Sequence, residues 1–234
     1  MHAQMNIKGI QKTSLVDFPG KLSSVIFLGG CNLNCRFCYN PDLITNDQSD
    51  VYSAEYTLRF LKERSKLIDS VVITGGEPTL SPSLEFFLKE LKKIPLFVKI
   101  DTNGTNPHII NRLLSEGLVD YAAVDVKTSS SKYKSLAGTG ADFNIIKDTI
   151  LLLKDSGIDY ELRTTCVPEF VTLSDFEDIK KETGRVKRYY LQQFNNRKTL
   201  DPSVQKYKPY PVAVLNEFAA FVNSFADVCE IRGI

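Results

Sequence analysis

Three cysteines fall within eight positions of "GGCNLNCRFCYN" (residues 29–40): Cys31, Cys35 and Cys38. Thiolates are soft donors that suit zinc, copper(I) and iron–sulfur clusters. A closed structural zinc site wants four ligands, commonly as C-x2-C pairs roughly 12–20 residues apart. This chain offers one C-x3-C-x2-C, two further cysteines and two histidines. His2 lies at the terminus and His108 follows Pro107 at a predicted helix start, so both are expected at the surface. Cys166 ("RTTCVPEF") and Cys229 ("FADVCEIRGI") sit in apolar surroundings and read as ordinary buried cysteines. Three thiols without a fourth partner point to a metal centre with an open position, where a small molecule can bind.

Further candidates lie in short polar segments after apolar runs. In "ITGGEPTL" (73–80), Gly75 and Gly76 let the backbone approach a ligand closely, and Glu77 could face a cationic amine. A plain Gly-Gly turn leading into a helix is the structural alternative. "DTNG" (101–104) carries Asp101 in what could be a polar turn, and "AVDVK" ends with Asp125 and Lys127. A buried Lys127 would need a carboxylate partner. Arg163, Gln192 and Gln193 stand late in two further apolar runs.

The elements that must position these residues alternate regularly. Strands are predicted at 23–29, 70–75, 96–101, 121–127, 160–167 and 188–194, with a short seventh at 229–234. Helical periodicity is predicted over 53–68, 81–94, 106–117, 142–157, 172–184 and 211–226, several bounded by Ser or Thr at the start and Gly at the end. Alternating β and α elements imply a parallel sheet with right-handed crossovers. A closed eight-unit barrel needs about 250 residues. Six clear units after a lead-in over 1–21 predict an α/β fold built as an incomplete, open TIM-like (βα)6 barrel, a single domain over 1–234. A doubly wound open sheet is the alternative. In either, ligands sit beyond the C-terminal strand ends, which is where the candidate residues fall.

Lys and Arg number 29 against 28 Asp and Glu, a formal charge of +1, which argues against nucleic-acid binding by bulk charge. The basic, aromatic stretch "RVKRYYLQQFNNRK" (185–198) reads as a strand and a solvated loop. No apolar run is long enough for a membrane span and no signal-peptide core is present, so a cytoplasmic protein is expected.

C-x3-C-x2-C with Phe37 just before its last cysteine resembles the signature of the radical S-adenosylmethionine (SAM) enzymes. That resemblance implies a [4Fe–4S] cluster on Cys31, Cys35 and Cys38 whose open iron chelates SAM, and reductive cleavage of SAM to methionine and a 5′-deoxyadenosyl radical. Gly75, Gly76 and Glu77 match the motif that faces the methionyl ammonium. Asp101, Asp125 and Lys127, in that order, resemble glycyl-radical enzyme activases, where equivalent residues contact SAM or a nearby cation, and Arg163 stands where a basic residue is expected. The lead-in "SLVDFPG" (14–20) is similar to the activating proteins of anaerobic ribonucleotide reductase. Tyr39 replaces their usual His after the last cysteine, and Gln192 or Gln193 replaces a His near the nucleoside. Residues 39–76 hold no cysteine, so no ferredoxin-like insertion is expected. The implied partners are a glycyl-radical enzyme and a flavodoxin or ferredoxin as electron donor. A small-molecule enzyme resembling 7-carboxy-7-deazaguanine synthase, and a non-catalytic zinc or iron–sulfur module, are the competing readings.

Overall fold

A computed structural model describes residues 5–44, 51–138 and 140–234; His2 lies outside them. Eight strands follow one another in chain order within one sheet: β1 (Ile7–Ser14), β2 (Ser23–Leu28), β3 (Ser70–Gly75), β4 (Phe97–Thr102), β5 (Tyr121–Asp125), β6 (Asp159–Cys166), β7 (Val186–Gln193) and β8 (Ala226–Arg232). The order is linear, from β1 at one end to β8 at the other, so the sheet is open. The α/β class and the parallel strands expected from the alternating pattern are borne out. The six principal predicted strands each match an observed one within two or three residues, and β8 lies about three residues upstream of the predicted seventh.

β1 is an addition to that expectation. Its sequence, "IKGIQKTS", lies within the stretch read as a lead-in, and it pairs antiparallel with β2 from Ile7↔Leu28 to Ser14↔Ser23. Gly9 and the mixed polar pattern weaken its alternation, so its pairing depends on β2 more than on its own residues.

The chain forms two compact units. The first comprises Met1–Asn32, Asp42–Thr102 and His108–Ala122. Within it β2, β3 and β4 are parallel, in register as Val25↔Val72 and Val72↔Lys99. Val25, Val72 and Tyr121 pack with Phe18 of the lead-in, so Phe18 seals one face of these strands. Helices α1 (Ala54–Arg64), α2 (Leu84–Leu91) and α3 (Pro107–Ser115) accompany the strands. The Ser53 side chain caps α1 by accepting the Tyr56 N–H.

The second unit comprises Leu33–Pro41, Asn103–Pro107 and Ala123–Ile234. It holds α4 (Tyr133–Ala137), α5 (Phe143–Asp155), α6 (Leu173–Thr183) and α7 (Val212–Val222). Asp142 caps α5, and Thr172 with Asp175 forms a reciprocal capping box at α6. β6, β7 and β8 are parallel. Tyr189 of β7 packs edge-on against Phe176 of α6 and Phe225. Because side chains alternate across a strand, Arg163, Thr165, Gln192 and Arg232 occupy the face opposite that aromatic layer. α4 has no counterpart in the sequence reading; five residues are too few to show a helical period.

Candidate active site

The cysteine loop begins where β2 ends. Gly30 N–H donates to the Leu43 carbonyl (2.7 Å) and Cys31 N–H to the Ile44 carbonyl (3.3 Å), which fixes Cys31 within the first unit. Cys35 and Cys38 belong to the second unit. There, Asn34 and Arg36 N–H groups donate to the Ala137 and Leu136 carbonyls at the end of α4 (3.1 and 2.9 Å). Cys38 N–H closes a turn onto the Cys35 carbonyl (2.9 Å). The N–H groups of Leu200 and Asp201 donate back to the Cys38 and Arg36 carbonyls (3.0 and 2.9 Å). The Arg36 guanidinium meets Asp201 at 2.7 Å, donates to Ser203 at 3.0 Å and lies over the Phe170 ring. Ser203 hydrogen bonds first, and Arg36 second, hold the Asp201 carboxyl down at about 2.

None of the five cysteines is in a disulfide. Burial pushes the Cys166 and Cys229 thiols up to about 12, so both favour the neutral form, which is a poor metal ligand. His108 is exposed. Among the described residues, no group of three or more His, Cys, Asp or Glu side chains is placed to hold a metal ion. The donor chemistry of the loop nevertheless fits an iron–sulfur cluster: three soft thiols, none in a disulfide, lie on one segment, whose two parts are separately braced by backbone hydrogen bonds.

Gly75 and Gly76 continue the β3 backbone alongside the end of β2. Gly75 has φ +120°, and a Cβ there would lie 2.3 Å from the Leu28 carbonyl oxygen. A Cβ on Gly76 would lie 2.1 Å from the Gly30 carbonyl oxygen. These glycines permit the close approach of two chain segments. Gly76 N–H donates to Leu28 and Glu77 N–H to Gly30, each at 2.8 Å, which seats Glu77 beside the residue preceding Cys31. Glu77 is 1% exposed. Its Oε1 accepts from the Thr79 N–H (3.1 Å), the Thr79 hydroxyl (2.5 Å) and the Thr102 hydroxyl (2.8 Å), so its orientation is set by β4 and by the turn it caps.

Asp101, also on β4, is paired with Lys99 Nζ at 2.8 Å. In the second unit, Asp125 at the end of β5 binds two cations, Lys127 Nζ through Oδ2 (2.7 Å) and Arg163 Nε through Oδ1 (2.8 Å). Burial opposes the Asp125 charge, but the attraction of Arg163 and then Lys127 outweighs it and holds the carboxyl well below the usual range. Burial likewise opposes the Lys127 charge, yet Asp125 and then Cys35 keep it above the usual lysine value. Lys127 Nζ stands 5.7 Å from the Phe37 ring centroid, within cation–π range. Lys127 thus sets positive charge against Phe37 of the cysteine loop.

Gln192 accepts from the Thr165 hydroxyl (3.3 Å) on the polar face of β6 and β7. Gln193 is turned away and donates to the Tyr210 carbonyl (2.7 Å). The Tyr39 hydroxyl accepts from the Asn195 N–H (2.8 Å), so Tyr39 ties the cysteine loop to the segment after β7. Sequence reasoning missed Lys99, Tyr133, Arg36 and Asp201. The Tyr133 hydroxyl links the Lys127 N–H and the Asp125 carbonyl (3.3 Å each). A lysine within a strand and a tyrosine in a five-residue helix give no sequence signal, whereas Arg36, between two clustered cysteines, could have been marked as part of the loop's bracing.

Along the chain, a cysteine loop follows the first parallel strand, a Gly-Gly-Glu turn follows the second, and ion-paired acids stand at later strand ends. Residues 25–182 match the family model of the radical SAM superfamily, and the chain belongs to that superfamily. A protein of Methanocaldococcus jannaschii that bears the name of a glycyl-radical enzyme activating enzyme is 35% identical over 235 residues, covering 97% of this chain and 96% of that one. The pyruvate formate-lyase-activating enzyme of Clostridium pasteurianum is 30% identical over 188 residues, 77% of this chain and 76% of that one. Among solved structures, Streptococcus suis SuiB bound to its precursor peptide SuiA superposes with a TM-score of 0.69 at 16% identity, over 89% of this chain and 48% of that chain. That likeness concerns the fold, and it agrees with the open-barrel expectation.

Proposed function

We propose that the chain is a glycyl-radical enzyme activase. The observation that carries this reading is the end-to-end match to the M. jannaschii relative of that name. In this reading Cys31, Cys35 and Cys38 hold a [4Fe–4S] cluster, and residues 1–234 act as a single radical SAM domain without a ferredoxin-like insertion. Bound there, such a cluster supplies a one-electron reductant and an open iron for SAM. The overall reaction consumes one electron from a flavodoxin or ferredoxin, breaks the sulfonium C–S bond of SAM and moves a hydrogen atom from a partner's glycine Cα to the 5′-carbon. Methionine, 5′-deoxyadenosine and a glycyl radical are left.

The chain's own residues bind and orient SAM. Glu77 and the Gly75–Gly76 carbonyls face its ammonium. Asp125 with Lys127 and Arg163 leaves one net positive charge, suited to its carboxylate. Asp101 accepts hydrogen bonds from ribose hydroxyls, and Gln192 takes the nucleoside side. The proposed partner is anaerobic ribonucleoside-triphosphate reductase, a choice supported by the similarity of "SLVDFPG" to that group's activating proteins.

Anaerobic reconstitution with iron and sulfide tests the reading. It should give about four irons per chain and dithionite-dependent 5′-deoxyadenosine from SAM. Tightly bound zinc without SAM cleavage would sink it.

A further inference from the structure

The first unit contains a lysine that the reading above does not use. Lys99 is 0% exposed, and an ammonium that deep in a protein is tolerated only with close compensation. Its Nζ is 2.8 Å from Asp101 Oδ1 and donates to the backbone carbonyl of Asp17 at 2.7 Å. The Tyr121 ring centroid lies 5.7 Å away and adds a cation–π contact. Asp17 is itself anchored, its carboxylate accepting from the Ser14 hydroxyl, which in turn accepts the Val16 and Asp17 N–H groups. Lys99 therefore joins the "SLVDFPG" lead-in to the carboxylate at the C-terminal end of β4.

The register explains why a lysine stands there. Val25, Val72 and Lys99 lie side by side on β2, β3 and β4, in the layer that Phe18 and Tyr121 close. Asp101 lies two residues further on, one pleat period toward the strand end and on the same face. The ammonium reaches from the apolar floor to the carboxylate above it. Asp101 is 8% exposed, and the Lys99 ammonium sets a positive charge against its carboxylate.

We propose that Lys99 is a positioning residue for SAM: it keeps Asp101 ionised and aimed, and it makes the lead-in motif the floor on which that carboxylate rests. The inference depends on the reading that Asp101 contacts SAM. It further implies that Asp101 carries its own counter-ion and recruits no inorganic cation. Titratable residues near Lys99 in its unit include Asp101, Asp17 and Tyr121.

The test uses the reconstituted full-length protein and measures SAM affinity by calorimetry from about pH 6 to about pH 8. Wild-type affinity should be flat across that range and indifferent to sodium or potassium. Lys99→Met removes the ammonium set against the buried Asp101 carboxylate, which should raise its carboxyl; SAM should bind about tenfold more weakly or worse at the acid end and recover as pH rises. Potassium should restore part of the loss. Should that variant fail to fold, Lys99→Met/Asp101→Asn buries no charge; it should melt near wild type, yet bind SAM about tenfold more weakly at every pH. Wild-type affinity and a wild-type pH profile in either variant would overturn the role of Lys99 while leaving the activase reading intact. A wild-type protein that loads its cluster but binds no SAM would overturn both.

Discussion

At the scale of residues, the loop cysteines lie on a segment held by its own backbone hydrogen bonds, whereas Cys166 and Cys229 lie on strands. Cys166 is fully buried and its thiol is pushed up to about 12, so it stays protonated at neutral pH. Replacing Cys31, Cys35 or Cys38 by Ala should abolish iron incorporation, whereas Cys166→Ala should leave it intact. Iron and acid-labile sulfide per chain measure both, and loss of the cluster in Cys166→Ala would show that the ligand set is miscounted. The cysteines, Gly75–Glu77 and the strand-end acids were legible because each is marked by type and spacing. Lys99 was not. In "LFVKID" it looks like any lysine in a strand, and its burial follows from the Asp17 carbonyl and the Tyr121 ring, contacts made far away in sequence. What the sequence did not show at the glycines is their packing: a Cβ at Gly75 or Gly76 would meet the backbone at Leu28 or Gly30.

At the scale of elements, continuous apolar runs such as "SSVIFL" and "SVVITG" announced β2 and β3, because strands covered on both faces need no polar alternation. β1 and α4 escaped notice since each is specified by what it packs against. Both matter to the loop. α4 supplies the carbonyls that hold Asn34 and Arg36, and the close approach of β3 to the end of β2 seats Glu77. Gly75→Ala adds positive-φ strain of roughly 1–3 kcal/mol to a contact with no room for a methyl group, and Gly76→Ala meets the same obstruction. Each should lower the melting temperature and SAM affinity together; a variant that loses only affinity would point to ligand approach instead.

The Arg36–Asp201 brace gives a pH-dependent prediction on the same scale. Asp201 is depressed from 3.8 to about 2, so the brace is fully present above the ordinary carboxylate range and is lost as pH falls through about 2. Asp201→Asn should therefore speed chelator-driven iron loss severalfold at neutral pH while changing little at the acid extreme. Equal rates for variant and wild type at pH 7 would show that the backbone hydrogen bonds brace Cys38 without Asp201.

On the scale of the whole molecule, the order of motifs along the chain matches the order of strand ends, and this made the α/β class and its open sheet legible before any contact was known. What sequence order leaves unspecified is which charges pair. Asp101 takes Lys99 while Asp125 takes Lys127 and Arg163, and these choices are made by register and burial. No helix among the described residues is long and apolar enough to cross a membrane. The central claim is that SAM cleavage by this chain is spent on a partner's backbone. Electron paramagnetic resonance of the reconstituted protein, mixed anaerobically with reductant, SAM and anaerobic ribonucleoside-triphosphate reductase, tests this most directly. A glycyl doublet that requires Cys31, Cys35 and Cys38 is the predicted result; SAM cleavage with no doublet on the reductase or any other glycyl-radical protein would contradict it.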